Sequence, residues 1–355
     1  MRILAIETSA DETAAAIVEN GTKILSNVVA SSMNLHEKTG GIIPEVAARE
    51  QIKCIIPVIE EALKQASANQ LLTTHYSLLT TSIDAIAVTI GPGLIGSLLV
   101  GVETAKTIAF VNEKPIIPIN HVFAHIYANF LHFNNIYYQS EIQFPAIALV
   151  VSGGHTELFM MRIQNQLKWL GGTRDDAAGE AFDKTARLLG LGFPGGPAIA
   201  AEAAKLKVKS EKLKVKLPRP MMGKGDLDFS FSGLKTAVLR EVNKLKTIQE
   251  FNKLKIQQLA YEIQESIADV LVEKTLRAAR QFKVKSILLG GGVAANKRLK
   301  EKFAVCSSQF AVALHVPPPQ LCTDNAAYIA SFAYFNYKPI HWSKIQAQPS
   351  LSVEV

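Results

Sequence analysis

Residues 2–20, RILAIETSADETAAAIVEN, contain two short runs of β-forming residues on either side of a polar turn, ADET, at residues 10–13. This pattern predicts a β-hairpin whose turn carries the carboxylates of Asp11 and Glu12. Residues 144–161, FPAIALVVSGGHTELFMM, repeat the pattern around a second turn, SGGHT, at residues 152–156. Each of two halves of the chain is therefore predicted to open with a similar hairpin.

Strands and helices alternate after each hairpin. The predicted elements are, in order, a helix within 40–66, a strand at 84–90, helices at 95–111, 176–190 and 256–282, a strand at 284–290, and a glycine turn into a helix that begins near 294. This order predicts an α/β protein of two similar lobes.

Length and composition support the same division. A chain of 355 residues exceeds what one hydrophobic core usually spans. The formal charge of +7 and the isoelectric point near 9.1 favour an anionic partner such as nucleic acid or a phosphorylated ligand. Cys54, Cys306 and Cys322 show no CxxC spacing, so they predict neither a disulfide framework nor a cysteine zinc site, and they favour a reducing compartment.

Two segments bear on cellular location. The start, MRILAIETSADET, has no basic region followed by a long apolar one and carries Glu7 too early for a signal peptide, so we expect a cytoplasmic protein. Residues 85–102, AIAVTIGPGLIGSLLVGV, lack any charge over 18 residues, the length at which a membrane span must be considered. Their central Gly91-Pro92-Gly93 favours a strand, a tight turn and a buried helix instead.

Glycine-rich turns suggest a phosphate-binding role. Residues 290–296, GGGVAAN, match neither GxGxxG nor the Walker pattern. Backbone N–H groups in such a turn can donate to phosphate oxygens, so this turn and the two hairpin turns could together hold a nucleotide between the lobes. Taken alone, each turn is better explained as a plain connection.

Residues 175–197, DDAAGEAFDKTARLLGLGFPGGP, place several acidic residues ahead of a Gly195-Gly196 turn. Asp175 and Asp176 suit a helix N-terminus as well as they suit a ligand site. Asp183 lies deeper in the segment and is the better candidate acceptor for a ribose hydroxyl.

Residues 120–130, NHVFAHIYANF, place His121 and His125 four positions apart. On a helix this spacing puts both rings on one face, within reach of one metal ion. Val122 follows His121, so the HExxH motif of zinc proteases is excluded. The residues alone leave two explanations open, a metal-binding pair or two packed, hydrogen-bonded histidines, and they favour the second.

Seven segments, in order across residues 3–330, resemble the universal tRNA threonylcarbamoyladenosine transferase family in its bacterial form, a family once misdescribed as sialoglycoproteases. They are IETSADET, NHVFAHIYA, VSGGHTEL, AGEAFDKTARLLGLGFPGGP, DFSFSGLKT, GGGVAANKRL and CTDNAAYIA. The resemblance implies the duplicated fold of actin-like ATPases and sugar kinases, an α/β fold with two ribonuclease H-like lobes and the site in the cleft between them.

The same resemblance implies that the chain is divided into two lobes and a C-terminal segment. Residues 1–118 would form the N-terminal lobe, and residues 119–325 a second lobe with the metal and nucleotide sites and a lysine-rich insert near 205–216. Residues 326–355 would form a C-terminal helix and tail that pack back on the N-terminal lobe.

The resemblance also implies a metal site and an adenylate site. His121, His125 and Asp324 would hold one divalent ion, Fe²⁺ in the first place and Zn²⁺ in the second, with coordination positions left for substrate. The residues around the adenylate would be Val150, Val151, Ser152, Gly153, Gly154, Asp183, Gly196 and Asn296. In the family the adenylate is threonylcarbamoyl-AMP, made by a separate enzyme from threonine, bicarbonate and ATP.

The implied reaction is an acyl transfer to tRNA. The N6 amine of the adenosine 3′ of the anticodon, in tRNAs that read codons starting with A, attacks the carbamoyl carbonyl, and AMP leaves. The metal would polarise the acyl oxygen while glycine-turn amides bind the phosphate. Asp11 and Glu12 are candidates for orientation or proton transfer, although turn stabilisation explains them equally well. The implied partners are tRNA, threonylcarbamoyl-AMP, an inactive paralogue of the same fold and a small ATPase helper, without a membrane.

A lysine repeat, KLKVKSEKLKVK at residues 205–216, is a second candidate contact with tRNA. In strands, its alternation would place apolar side chains on one face and ammonium groups on the other, where they could meet tRNA phosphates. The ordinary explanation for such a run is a solvated face. The lysines concerned are Lys205, Lys207, Lys209, Lys212, Lys214 and Lys216.

Three positions depart from the family pattern. Ala10 replaces the usual cysteine, so a thiol at that point is not essential here. Ala326 replaces a glycine beside Asp324 and is expected to alter the helix entry. Ala200 replaces an acid that helps to hold the nucleotide in many relatives, which predicts weaker binding.

Two other functions stay open at this point. A kinase or ATPase of the same fold would need an acid positioned for phosphoryl transfer. An inactive scaffold paralogue typically lacks the histidine pair, which this chain retains. A protease is disfavoured, because neither HExxH nor a supported Ser-His-Asp arrangement is present.

Overall fold

A computed structural model of the chain describes residues 1–67, 82–132, 141–206 and 215–354. The chain divides into two compact units. Unit 1 comprises Met1–Glu141 and Pro317–Val355, and unit 2 comprises Ile142–Val316. Each unit is built around one five-stranded sheet.

The strands of the described ranges fall into two groups of five. Unit 1 contains β1 (Arg2–Glu7), β2 (Glu12–Glu19), β3 (Lys23–Ser31), β4 (Ala85–Gly91) and β5 (Ile116–Asn120). Unit 2 contains β6 (Ala146–Val151), β7 (Thr156–Met161), β8 (Leu167–Gly172), β9 (Ser286–Gly290) and β10 (Ala313–His315).

Helices connect and cover these strands. In unit 1 they are α1 (Met33–Glu37), α2 (Pro44–Ser67), α3 (Ile95–Val111), α4 (His121–Ala124), α10 (Pro319–Cys322) and α11 (Ala327–Phe335), with 3₁₀ turns at His125–Phe130 and Trp342–Lys344. In unit 2 they are α5 (Ala178–Leu188), α6 (Gly195–Ala204), α7 (Ser232–Thr247), α8 (Lys253–Phe282) and α9 (Lys297–Gln309), with a 3₁₀ turn at Gly292–Ala295.

The two sheets have the same topology. Their strand orders are β3-β2-β1-β4-β5 and β8-β7-β6-β9-β10. In each sheet the first three strands in sequence pair antiparallel, and the remaining two continue parallel from the first strand. The predicted hairpins are confirmed, and each gains a third strand, β3 or β8, that the sequence did not predict.

The burial of β1 on both faces explains why most of its sequence is apolar. Alternate residues of a strand point to opposite faces of the sheet. Ile3 and Ala5 pack in the core that contains α11, whereas Leu4 and Ile6 pack in the core that contains α2 and α3. Both faces of the sheet are therefore covered, and the strand has no face that requires polar residues.

The compact units differ from the segments implied by the resemblance. Residues 119–132 and 317–325, which that division assigned to the second lobe, lie in unit 1. The physical reason is that β5 extends the first sheet, and the helical segment after it packs with α11. The C-terminal helix α11 also lies in unit 1, where Tyr328 and Ile329 join its core.

Three further predictions concern single segments. The uncharged stretch 85–102 forms β4, a turn and the start of α3. None of the helices in the described ranges combines the length and apolar character that a membrane span requires. All three cysteines are free. Residues 207–214 of the lysine repeat lie outside the described ranges, so its strand pairing stays a prediction.

One glycine allows two neighbouring strands of the second sheet to end close together. Gly291 follows β9 with a φ of +86°, and a Cβ atom there would lie 2.4 Å from the carbonyl oxygen of Val151. Its neighbour Gly292 has an ordinary φ and open space at the same position. The turn after β9 can therefore approach the end of β6 only with glycine at 291.

We expect Gly291→Ala to destabilise the protein by about 1–3 kcal/mol from the left-handed φ alone, with the steric clash adding to it. Gly292→Ala is the matched control and should change the unfolding midpoint little. Urea denaturation followed by tryptophan fluorescence measures both. Equal effects of the two substitutions would show that the turn relaxes and that the close approach is not required.

Candidate active site

Three side chains that could hold a metal ion converge in unit 1. His121 opens α4 directly after β5, and Asn120 caps that helix by accepting from the N–H of Val122 at 3.0 Å. The backbone becomes 3₁₀ from His125 onward, so the predicted α-helical spacing holds for one turn only. The two rings still meet, with 3.2 Å between their Nε2 atoms. Asp324, between α10 and α11, places Oδ1 3.7 Å from His121 Nε2 and 3.4 Å from His125 Nε2.

These distances fit one metal ion. The structure brings the three predicted ligands together, with all donor atoms within 4.8 Å of one another. A point equidistant from the two Nε2 atoms and the carboxylate oxygen lies about 2.0 Å from each, the usual length of a bond from a divalent metal to nitrogen or oxygen. Two imidazoles and one carboxylate suit Fe²⁺ or Zn²⁺ and leave positions for substrate.

Glu7 orients the first histidine. Its Oε2 lies 3.1 Å from His121 Nδ1, and the side chain is buried. Thr89 and the backbone N–H of Ser9 donate to the same carboxylate. A hydrogen bond from Nδ1–H to a carboxylate fixes the tautomer that leaves the Nε2 lone pair for a metal. Glu7 is thus placed as the hydrogen-bond partner that orients a candidate metal-binding histidine.

Charge at the site explains why a cation would be stabilised there. Burial disfavours the charged imidazolium, but the carboxylates of Glu7 and Asp324 outweigh it and raise the pKa of His121 to about 9. Burial alone would raise the pKa of Glu7, but His121 reverses this effect and holds the pKa below its ordinary value. The two groups therefore form a buried ion pair when no metal is bound.

Further carboxylates leave an excess of negative charge. Burial raises the pKa of Glu12 to about 10, assisted by Asp324 and Asp11. Burial also raises the pKa of Asp324 to about 6, and the attraction of His121 does not cancel that effect. Both pKa values rise because burial and neighbouring anions each disfavour the ionised carboxylate. A divalent cation would offset that excess.

The hairpin turn holds Asp11 and Glu12 beside this cluster. Gln51 of α2 donates to the carbonyl oxygens of Ala10 and Glu12, each at 3.0 Å. Ser32 donates to the carbonyl oxygen of Asp11. The turn is therefore fixed from two sides. At neutral pH without metal, Glu12 carries its proton and can donate a hydrogen bond.

The C-terminal segment reaches the same end of the sheet. Gln348 donates to the carbonyl of Ile90 at 2.6 Å, and Gly93 donates to the carbonyl of Pro349 at 3.1 Å. Asn120, which caps the histidine helix, also donates to the carbonyl of Ser352 at 3.1 Å. Backbone groups near residues 348–352 thus brace the segment that positions His121.

In unit 2 the predicted adenylate residues lie near the carboxyl ends of β6 and β9 in the second sheet. The turn after β6 packs on α5, where Gly179 donates to the carbonyl of Ser152 at 3.2 Å. Val150 pairs with Gly290 of β9, so the two strands end together. The 3₁₀ turn after β9 contacts both β6 and α5. Residues 150–154 and 291–296 are therefore neighbours.

Asp183 and Asn296 make structural contacts in this region. Asp183 Oδ1 accepts from the N–H of Gly195 at 2.6 Å at the start of α6, which places Gly196 beside it. Burial raises the pKa of Asp183, partly offset by that hydrogen bond. Asn296 caps α9 by accepting from Leu299, and its amide donates to Gln264. Each keeps further hydrogen-bonding capacity for a ligand.

Glycines here divide into two groups. A Cβ atom at Gly179 or Gly195 would lie about 2.4–2.5 Å from neighbouring backbone atoms, so packing requires glycine. At Gly153, Gly154 and Gly196 a Cβ atom would meet nothing within 4 Å, and none of the three has a left-handed φ. Neither packing nor conformation explains these three. Close approach of a ligand to the backbone would.

Other singled-out residues have structural explanations. Asp175 accepts from Ser230 and from the backbone N–H of Phe231, which anchors the start of α7 rather than that of α5. Asp176 pairs with Lys184 at 2.6 Å. Ala326 has a φ of −87°, so an alanine fits the entry to α11 without strain.

Sequence reasoning missed the residues that support the ligands. Glu7, Thr89 and Gln51 act through neighbours that are distant in the chain, and Tyr328 donates to Asp324 Oδ1 at 3.3 Å. One signal was available: Glu7 is a charged residue that follows four apolar residues, 3–6, of a buried strand. A charge in that position is expected to have a partner.

Comparisons with known proteins find a matching family and near-full-length relatives. The sequence matches the tRNA N6-adenosine threonylcarbamoyltransferase family over residues 23–331. The tRNA N6-adenosine threonylcarbamoyltransferase of Syntrophomonas wolfei subsp. wolfei is 47% identical, with 98% of this chain and 97% of the relative covered. That of Bacillus cereus is 46% identical, with 99% and 96% covered.

Solved structures agree with the fold. HypF from T. kodakarensis matches with a TM-score of 0.58 at 15% identity, over 94% of this chain and 47% of that one. Component A of the Acidaminococcus fermentans (R)-2-hydroxyglutaryl-CoA dehydratase matches with a TM-score of 0.51 at 15% identity, over 94% and 98%. These likenesses show the duplicated fold of actin-like ATPases and sugar kinases. The near-full-length sequence matches show more: the chain belongs to the tRNA N6-adenosine threonylcarbamoyltransferase family, whose members are tRNA-modifying transferases.

Proposed function

We propose that this chain transfers the threonylcarbamoyl group of threonylcarbamoyl-AMP to the N6 amine of the adenosine 3′ of the anticodon, in tRNAs that read codons starting with A, and releases AMP. The observation that carries the proposal is the convergence of His121, His125 and Asp324 in a member of this family. A hydrogen bond between His121 and Glu7 orients the first of these side chains. The helper proteins, an inactive paralogue and a small ATPase, remain part of the proposal.

The metal-binding residues would orient the acyl donor. A divalent ion bound there, Fe²⁺ first and Zn²⁺ as the alternative, supplies a Lewis acid that polarises the acyl oxygen. His121 and His125 would contribute neutral donors and Asp324 one negative charge, so the three ligands would offset only one of the ion's two charges. Glu7 keeps His121 in the correct tautomer.

The adenylate is proposed to bind at the glycine turns of unit 2. The open backbone at Gly153, Gly154 and Gly196 would allow phosphate and sugar oxygens to approach amide donors. Asp183 would accept from a ribose hydroxyl with its second oxygen, while Oδ1 stays bonded to Gly195. Burial of the carboxylate strengthens such a bond.

In the proposed transfer, the N6–carbonyl bond forms and the bond from the carbonyl carbon to the phosphate oxygen breaks. AMP leaves with the electron pair, and the amine loses one proton. Asp11 is the candidate acceptor of that proton, and Glu12, which holds its own proton at neutral pH, is the candidate donor of an orienting hydrogen bond.

One assay separates this proposal from the alternatives. The protein is incubated with unmodified tRNA, helper proteins and threonylcarbamoyl-AMP, and tRNA nucleosides are analysed by mass spectrometry. We expect threonylcarbamoyladenosine and an equal amount of AMP. In a parallel incubation of this protein alone with ATP, ATP turnover would favour a kinase or ATPase. Absence of the modified nucleoside, together with binding to an active homologue, would favour a scaffold.

We expect His121→Ala to lower metal affinity by more than roughly 100-fold, because loss of a ligand exceeds the tenfold to hundredfold effect of losing an outer partner. His341→Ala, at an exposed histidine of the same unit, is the control. Metal content after dialysis is measured for both. Full occupancy in His121→Ala would refute the ligand assignment.

Metal binding should release protons at neutral pH. Below a pH of about 9 the metal-free His121 is protonated on Nε2 and cannot bind a metal through that atom. Affinity should therefore rise with pH up to about 9 and then level off. Calorimetry in two buffers of different ionisation enthalpy at pH 7.5 should detect release of at least about one proton per metal. Release of none would contradict the ion pair.

Asp183→Asn tests the adenylate site more sharply than removal of the side chain, because asparagine can still accept from Gly195. We expect AMP affinity to fall at least roughly tenfold without a change in stability, because the amide oxygen stays bonded to Gly195 and the NH₂ group in the second position cannot accept from the ribose hydroxyl. Asp176→Asn makes the same charge change nearby and should bind AMP normally. If both bind AMP like the unmodified protein, Asp183 is structural.

A further inference from the structure

The positive charge of the chain is concentrated in one region. Residues 205–255 contain fourteen lysines and arginines against five acidic residues, an excess of nine. The whole chain has 38 against 31, an excess of seven. The rest of the chain is therefore slightly acidic. The anionic partner indicated by the overall charge should bind this region of unit 2.

Two helices bring cations together at one corner of unit 2. Lys205, just after α6, pairs with Glu202 at 2.6 Å. The hydrogen bond from Lys205 holds the pKa of Glu202 below its ordinary value, and Gln257 and Lys253 of α8 contribute to this effect. The end of α6 and the start of α8 are therefore neighbours.

A third helix ends beside them. Lys244 and Lys246 lie in the last turn of α7, and only residues 248–252 separate that helix from α8. Lys246 Nζ lies 5.3 Å from the ring centroid of Phe251 in this connection. Lys244 approaches Glu241 at 3.8 Å, and its side chain is 67% exposed. We name the set Lys205, Lys244, Lys246, Lys253 and Lys255 the basic corner.

The basic corner is within reach of the proposed adenylate site. Helix α6 begins at Gly195, beside Asp183, and ends next to Lys205. Ten helical residues span about 15 Å. A nucleic acid that placed one base near the adenylate could therefore lay a neighbouring stretch of backbone against the corner.

Building on the proposed function, we propose that the basic corner binds the phosphate backbone of the tRNA substrate. Exposed ammonium groups on flexible stems suit phosphates as point charges and carry no base specificity. The corner holds the tRNA, and the reacting adenosine is recognised elsewhere. Its contribution should therefore be similar for every tRNA and should depend on salt.

The test compares two triple variants with the same change in net charge. Lys244→Gln, Lys246→Gln and Lys253→Gln remove three cations from the corner. Lys23→Gln, Lys53→Gln and Lys64→Gln remove three exposed lysines of unit 1, each of which pairs with a glutamate. Binding of unmodified tRNA to the full chain is measured by fluorescence anisotropy from 50 to about 300 mM salt, a range in which phosphate contacts dominate the salt dependence.

We expect the corner variant to bind tRNA at least roughly tenfold more weakly near 0.1 M salt and to flatten the plot of log affinity against log salt by about two. The control variant should retain both values. Equal losses in the two variants, or no loss in either, would overturn the proposal. Thermal unfolding and AMP affinity of the corner variant should match the unmodified protein.

This test is independent of the proposed reaction. If the unmodified protein binds tRNA through the corner but forms no threonylcarbamoyladenosine, the surface is correct and the proposed function fails. If the modified nucleoside forms and the corner variant binds tRNA as well as the control does, the surface fails and the proposed function stands.

Discussion

The arrangement of the candidate metal-binding residues in unit 1 depends on the buried ion pair of Glu7 and His121. A carboxylate and an imidazole in an apolar interior are stable only when each is fully partnered. Glu7 therefore takes hydrogen bonds from Ser9 and Thr89, and His121 is turned so that Nε2 faces His125 and Asp324. The ends of β1, β4 and β5 must lie side by side for this to happen, which the parallel pairing ensures.

The two units use one topology for different chemistry. In the first sheet, the ends of the parallel strands lead into ionisable side chains, which concentrate negative charge and suit a cation. In the second, the corresponding ends lead into turns such as Gly153-Gly154, where the proposed adenylate would meet backbone rather than ionisable side chains. Gly91 belongs to the first sheet but serves contact within the chain, because a Cβ atom there would overlap the carbonyl oxygen of Gln348.

Sequence reasoning recovered the elements with strong periodic patterns and missed those that tertiary contacts decide. The hairpins and helix α3 were predictable because their apolar residues are continuous or sharply bounded. Strand β3 was not, because its residues alternate irregularly between buried and exposed as expected of an edge. The ligand triad came from family resemblance, since spacing alone could not bring Asp324 to His121. The role of Glu7 required the strand order, which no local pattern encodes.

In the proposed function, one metal ion completes the charge of this cluster. Anomalous diffraction from crystals grown with Fe²⁺ or Zn²⁺, recorded at the absorption edge of the metal, would locate such an ion. We expect a single strong peak in unit 1, about 2 Å from His121 Nε2, His125 Nε2 and an oxygen of Asp324, as metal–ligand bonds require. A crystal structure at full metal saturation without that peak, with the two imidazoles still hydrogen-bonded to each other, would show that these residues do not bind the metal.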